Sequence, residues 1–144
     1  MQTAKCIFVN LPVSDLSRSV DFFSELGFAF DDKFAGDHGA CMIIGEKMFV
    51  MLLVKEYFKR FIPGKRIVNS DKSAEVVVAL SVDGRDEVDC TLEKAVAAGG
   101  SECRDATDAG WMYGRAFQDP DGHVWEIFAV DPSRMEQTMN GKGN

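Results

Sequence analysis

The chain carries the same order of predicted elements twice. Residues 5–54 predict a strand, a helix and three further strands, and residues 75–130 predict the same order. The two strand-to-helix junctions, Leu11-Pro-Val-Ser-Asp and Leu80-Ser-Val-Asp-Gly, lie 69 residues apart. An internal repeat of this kind predicts two similar βαβββ modules, each with its own sheet, and an α+β fold class.

The repeat defines the expected domain organisation. We expect one domain over residues 1–144, in which the modules 5–54 and 75–130 are joined by a linker, residues 55–74. The linker contains Pro63-Gly64, which ends any helix that begins before it. Residues 131–144 form a C-terminal tail.

Charge and composition exclude several classes of function. The chain has 23 acidic and 16 basic residues and a net charge of −7, which argues against binding of nucleic acid. No apolar run approaches the roughly 20 residues that span a bilayer, so no membrane association is expected. The N-terminus lacks an apolar secretion segment, and the four cysteines form no Cys-x-x-Cys pair. We therefore expect a cytoplasmic protein whose cysteines are reduced packing residues.

One carboxylate stands out near the end of the second module. Asp119-Pro-Asp-Gly122 is a strong turn signal, and the strand that follows it places Val124, Glu126 and Phe128 on one face. A charge among hydrophobic side chains costs several kcal/mol unless it is paired, protonated or bound to a metal. Glu126 is therefore either a hydrogen-bonded structural residue or a group that recognises a ligand or accepts a proton. The second interpretation makes it the candidate catalytic residue.

Two stretches of the chain resemble a known family. They run from Asn10-Leu-Pro-Val-Ser-Asp-Leu to Gly27-Phe28 and from Gly114-Arg-Ala-Phe-Gln-Asp-Pro-Asp-Gly-His-Val-Trp to Glu126. They resemble the vicinal oxygen chelate superfamily, the group of glyoxalases, bleomycin-resistance proteins and extradiol dioxygenases. The resemblance implies an eight-stranded, incompletely closed barrel with a central cleft, and it implies a homodimer.

The resemblance also implies positions for metal ligands. Carried onto this sequence, those positions fall on Phe8, Met51, Val77 and Glu126. Of these four residues, only Glu126 has a side chain of a kind that commonly binds such metal ions. One carboxylate alone cannot hold a divalent transition metal. We therefore expect a degenerate metal site, with no metal and no other cofactor. Glu75 together with Glu126 remains open as a two-carboxylate site.

The expected function follows from the remaining residues. We expect a protein that binds a small apolar or aromatic ligand in a mostly apolar cleft, with Arg115 available to orient an anionic group. The alternative is a metal-dependent lyase or dioxygenase that uses Glu126 and a shifted ligand set, so enzymatic activity is left open. The expected ligand-binding residues are Phe8, Asn10, Phe49, Met51, Val77, Glu126, Phe128 and Arg115.

Overall fold

The structure is a computed structural model, and it describes residues 2–142. The chain divides into two compact units, with the boundary between Asn69 and Ser70. None of the helices in residues 2–142 combines the length and the hydropathy that crossing a membrane requires.

The first unit contains a four-stranded sheet in the order β1-β4-β3-β2. Strands β1 and β4 are parallel, and the other two pairs are antiparallel. The short helix α2 lies in the predicted linker and continues into a 3-10 turn. The elements are β1 (Ile7–Val13), α1 (Leu16–Glu25), β2 (Ala29–Asp31), β3 (Gly39–Gly45), β4 (Met48–Val54) and α2 (Lys55–Phe58).

The second unit repeats this topology, with the sheet order β5-β8-β7-β6. Its strands β5 and β8 are parallel, as β1 and β4 are in the first unit. The predicted fold class, α+β with two βαβββ modules, is therefore confirmed. The elements are β5 (Val77–Ser81), α3 (Arg85–Ala97), β6 (Ser101–Asp108), β7 (Met112–Gln118), β8 (Val124–Val130) and α4 (Pro132–Lys142).

Local sequence signals explain the bounds of α1. The side chain of Asp15 accepts a hydrogen bond from the amide of Arg18 at 3.1 Å, which satisfies an amide in the first turn. Gly27 has a φ of 102° and ends the helix, a conformation that glycine adopts without steric cost. Between these ends, Phe22 and Phe23 are fully buried in the core of the first unit.

Burial alternates along β8 and so defines two faces of the second sheet. Trp125, Ile127 and Ala129 are buried, whereas the residues between them are partly exposed. The buried face is the one that carries α3, because Arg115 and Tyr113 of β7 reach Asp89 of that helix. The opposite face carries Glu126.

Strand β6 differs from the sequence prediction. Its predicted extent is residues 102–105, but it runs over eight residues, from Ser101 to Asp108, all of them exposed. Its pairing with β7 shifts register twice, once on each side of Arg104. The strand is polar throughout and has two register shifts. It therefore lacks the alternation of apolar and polar residues by which a half-buried strand is predicted.

Candidate functional site

Glu126 lies in a row of four residues that crosses the second sheet. Its register partner on β5 is Ala79, its partner on β7 is Ala116, and Ala116 in turn pairs with Arg104 of β6. We call the face that holds this row the Glu126 face. Its members include Val77, Ala79, Ser81, Arg104, Thr107, Gly114, Ala116, Gln118, Val124, Glu126 and Phe128.

Arg104 supplies the partner that the isolated carboxylate requires. Its Nη2 lies 2.9 Å from Oε2 of Glu126, and the two side chains are 40% and 23% exposed. Neighbouring strands are about 5 Å apart, so the two Cα atoms are separated by about 10 Å. The methyl group of Ala116 between them is small enough to let the two long side chains meet above it.

The register shift before Arg104 determines which face this residue occupies. Glu102 pairs with Phe117, and Arg104 pairs with Ala116, so two steps along β6 correspond to one step along β7. In a regular strand, residues 102 and 104 would share a face. The bulge turns Arg104 to the Glu126 face, whereas Glu102 stays on the α3 side. Sequence alternation alone places Arg104 on the wrong face, so the pair was missed.

Gly114 keeps space beside Glu126. A Cβ atom at this position would lie 3.2 Å from Oε1 of Glu126 and 3.3 Å from Cβ of Phe128. Both contacts are tighter than ordinary van der Waals packing. A side chain at this position would therefore displace the carboxylate of Glu126 or the Cβ atom of Phe128, and glycine avoids both contacts.

In the pairing of β5 with β8, Val77 does not lie opposite Glu126. It pairs with Val124, two positions earlier along β8, and its side chain is 48% exposed. Glu75 lies at a bend two residues before β5 begins, further from the Ala79–Glu126 row. The register therefore does not bring Glu75 and Glu126 together.

The first unit has an apolar counterpart, which we call the Met51 face. The rings of Phe8 and Phe49 stack with centroids 4.8 Å apart, and Asn10 pairs with Met51 in the neighbouring row. Cys41, the partner of Met51 on β3, is buried, and burial together with the charge of Asp31 raises the pKa of its thiol. The members of the face are Phe8, Asn10, Cys41, Ile43, Phe49 and Met51.

Arg115 lies on the other side of the second sheet from Glu126. Its guanidinium donates two hydrogen bonds to Glu102, at 2.9 and 2.8 Å, and one to Asp89, at 2.8 Å. The hydrogen bonds to Glu102 are the main reason why the pKa of Arg115 is raised. The predicted ligand-binding role of Arg115 therefore has no support from its position, because the alternation of β7 turns it towards α3.

The Asp-Pro-Asp-Gly turn is organised by its first carboxylate. One oxygen of Asp119 accepts hydrogen bonds from the amides of Asp121 and His123, at 2.9 and 3.0 Å. The other accepts one from Nε1 of Trp125 at 3.0 Å. Burial raises the pKa of Asp119, against the lowering effect of His123 and of these hydrogen bonds. The turn is thus tied to the core through Trp125.

Other charged groups of the second unit do not form a metal centre. Among residues 2–142, no group of three or more His, Cys, Asp or Glu side chains is placed to hold a metal ion. A separate cavity of about 350 Å³ opens near the start of α3, where Arg85 lies over the ring of Tyr113. Arg85 is already bound to both carboxylate oxygens of Asp108, and no predicted site residue lines this cavity.

The comparison with protein families gives a clear assignment. The chain matches the model of the Glyoxalase/Bleomycin resistance protein/Dioxygenase superfamily over residues 6–127. The protein therefore belongs to this superfamily, and the resemblance drawn from its sequence is confirmed. None of the curated proteins compared with the chain matches it.

Solved structures share the fold. A hypothetical protein from S. aureus is 26% identical, with a TM-score of 0.75, and the match covers 90% of this chain and 96% of that one. A glyoxalase-related enzyme from Fulvimarina pelagi is 24% identical, with a TM-score of 0.74 and 88% coverage of each chain. The fosfomycin resistance protein FosX from Listeria monocytogenes is 17% identical, with a TM-score of 0.64 and coverage of 89% and 92%.

Proposed function

We propose that the protein binds a small apolar or aromatic molecule, and that the Glu126 face supplies the polar part of the recognition. The observation that carries this proposal is the Arg104–Glu126 ion pair, whose neighbours in its row and along β8 are small or apolar: Ala79, Ala116, Val124 and Phe128. The polar side chains of the same face, Ser81, Thr107 and Gln118, lie in the adjacent rows. A partly exposed ion pair adds little to stability, typically below about 1 kcal/mol. Ligand sites commonly combine mostly apolar walls with a few polar groups, which is the arrangement around this pair.

The apolar side chains on the Glu126 face and those on the Met51 face each favour a planar ligand. Val124 and Phe128 flank Glu126 along β8, and both are partly exposed. On the Met51 face, Phe8 and Ile43 are 45% and 36% exposed. Exposed aromatic rings offer large contact areas and stack with planar molecules. These residues support the expected apolar character of the ligand.

The donor set does not fit the metal ion that the family resemblance implies. Phe8 and Val77 have no donor atom, and Met51 offers only a thioether, which is a poor ligand for the hard or borderline metals of such sites. The carboxylate of Glu126 is held by a cation, Arg104. These features support a degenerate metal site and give no support to a metal-dependent lyase or dioxygenase.

The chemistry that the pair can supply is limited. Oε2 of Glu126 faces Arg104, which leaves Oε1 as the oxygen that could accept a proton or a hydrogen bond from a ligand. A catalytic role for Glu126 stays a prediction, because a general base is defined by its hydrogen-bond reach to the substrate proton that it removes. Binding and orientation of a ligand need only the pair and its apolar surroundings.

Oligomeric state and location complete the proposal. We propose a cytoplasmic homodimer, and the exposed apolar side chains of Ile7 and Met48 in the first unit are consistent with self-association. Sedimentation velocity at several concentrations tests the dimer. A single species with the mass of one chain at all concentrations would contradict it.

A thermal-shift screen of aromatic and hydrophobic compounds tests ligand binding. We expect some compounds to raise the Tm of the wild type but not that of Met51→Glu, whose charge disrupts the apolar face. Val96→Glu is the matched control, because Val96 is 51% exposed on α3 and should keep the response. If no compound stabilises the wild type more than Met51→Glu, the proposed apolar site is wrong.

Elemental analysis of protein purified without chelators tests the degenerate metal site. We expect less than stoichiometric Ni, Zn, Fe and Mn in the wild type and no change in Glu126→Gln. A stoichiometric metal that is lost in Glu126→Gln would contradict the proposal and favour the metal-dependent alternative.

A further inference from the structure

The ion pair leaves most of its hydrogen-bonding capacity unused. Within the described part of the chain, the contact between Nη2 of Arg104 and Oε2 of Glu126 is the sole polar contact of either side chain. A guanidinium has five N–H donors and a carboxylate has two acceptor oxygens. Several N–H groups of Arg104 and Oε1 of Glu126 therefore remain available side by side.

The residues next to the Arg104–Glu126 pair have small side chains. The neighbours of Glu126 in its row are Ala79 and Ala116, and Gly114 lies in the next row of β7. Side chains of one carbon or none do not rise above the backbone of the sheet. The small side chains of this row leave space over the sheet beside the pair, and Phe128 lies in the next row of β8, so a planar group can lie against this part of the face.

The charges of the pair cancel, and this determines which ligand group fits. A ligand carboxylate that binds Arg104 would lie beside Glu126, where the two negative charges repel each other. A ligand cation at Glu126 would meet Arg104 in the same way. A neutral amide avoids both costs, because its carbonyl accepts from Arg104 while its N–H donates to Oε1 of Glu126.

We infer that Arg104 and Glu126 recognise a neutral planar amide or lactam group carried by the aromatic or apolar ligand. This inference rests on the proposed function and names the ligand class for the same face. The amide is held by two antiparallel hydrogen bonds, one from Arg104 and one to Glu126, while the apolar part of the ligand contacts Phe128.

Three probes of equal size and different charge test the inference: benzamide, benzoate and benzamidine. Each is titrated into the full-length 15N-labelled protein, and the amide signals of Ala116, Glu126 and Phe128 are followed by NMR. We expect benzamide to bind roughly threefold to tenfold more tightly than either charged probe, which is the value of about one hydrogen bond.

Charge variants should reverse this order of preference. Glu126→Gln leaves the positive charge of Arg104 uncompensated, so benzoate should become the tightest of the three probes. Arg104→Gln leaves the negative charge of Glu126, so benzamidine should become the tightest. The matched controls are Glu93→Gln and Lys94→Gln on exposed positions of α3, which should keep the preference for benzamide.

The outcomes separate the inference from the function on which it rests. If all three probes shift these signals with equal affinity, or if benzoate binds most tightly to the wild type, the face binds aromatic molecules but the amide inference is wrong. If none of the probes shifts the signals, both the inference and the proposed function at this face are wrong.

Discussion

Arg104 and Glu126 form a 2.9 Å ion pair across an intervening strand. Ala116 of β7 lies between them in the same row and lets the two side chains meet. The equivalent row of the first sheet holds Asn10, Met51, Cys41 and Asp31, which contain no pair of opposite charges. The two modules thus share a topology but differ in the chemistry of equivalent positions.

A double-mutant cycle should show that this pair contributes little to stability. We expect Arg104→Met to lower the free energy of unfolding by about 0.5–1 kcal/mol, because it leaves Glu126 without its partner. The double variant Arg104→Met/Glu126→Met should be at least as stable as the wild type, since an apolar pair suits this face. Urea unfolding measures all four proteins of the cycle.

The exposed pair Glu56–Lys59, which links α2 to the 3-10 turn after it, provides the reference for this cycle. Its side chains are 85% and 56% exposed, so its coupling energy should be closer to zero. A coupling energy of several kcal/mol between Arg104 and Glu126 would mean that the pair has a mainly structural role. The functional interpretation of the pair would then lose its basis.

The fold could be predicted from the sequence because its signals are local. Strand alternation and the strand-to-helix junctions each depend on residues close together in the chain, and the repeat, although its copies lie 69 residues apart, is made of such local patterns. They identify the elements and their order before any contact between strands is known.

The partner of Glu126 could not be predicted, because it depends on a bulge. In a regular strand Arg104 would share a face with Glu102, and Glu102 faces α3. Only the register shift between them turns Arg104 to the other face, and neither residue type signals that shift. The ligand-binding role of Arg115 stays a prediction. Ala116 is the β7 partner of Glu126, so the alternation of β7 turns Arg115 towards α3.

Gly122 should tolerate no side chain. Its φ is +86°, and a Cβ atom there would lie 2.6 Å from the backbone oxygen of Ser70, whose hydroxyl also donates to the carbonyl of Asp121. We expect Gly122→Ala to lower the free energy of unfolding by about 2–3 kcal/mol. Urea unfolding measures the loss, and Gly36→Ala, with no atom within 4 Å, should be nearly neutral. Equal stability of the two variants would contradict the close approach of Ser70.

Asp119 should contribute strongly to stability through its hydrogen bonds. Asp119→Ala leaves the indole N–H of Trp125 and the amides of Asp121 and His123 without their acceptor in a buried turn. We expect a loss of about 2–4 kcal/mol in the free energy of unfolding. Asp119→Asn keeps one carbonyl oxygen and should lose less. The exposed substitution Asp105→Ala is the control, and an equal effect at both aspartates would refute this account of the turn.

Asp89 should titrate below its ordinary range because of its partners. The hydroxyl of Tyr113 donates to it at 2.6 Å and the guanidinium of Arg115 at 2.8 Å, and both hydrogen bonds lower the pKa of the carboxyl group, that from Tyr113 most. A pKa that is lower in the folded state means that the folded protein binds fewer protons here. The contribution of Asp89 to stability is therefore complete above the unfolded pKa of about 4 and is lost as the pH falls through the folded pKa.

Carboxylate 13C NMR across an acid titration checks the effect of Tyr113 on Asp89. Tyr113→Phe removes the largest cause of the shift, so the pKa of Asp89 should rise towards its unperturbed value of 3.8. The loss of stability on acidification should then be smaller in the variant than in the wild type. Tyr57→Phe in α2 makes the same chemical change in the other unit and should leave the titration of Asp89 as it is. If Tyr113→Phe also leaves it unchanged, the hydrogen bond from Tyr113 does not control this carboxylate in solution.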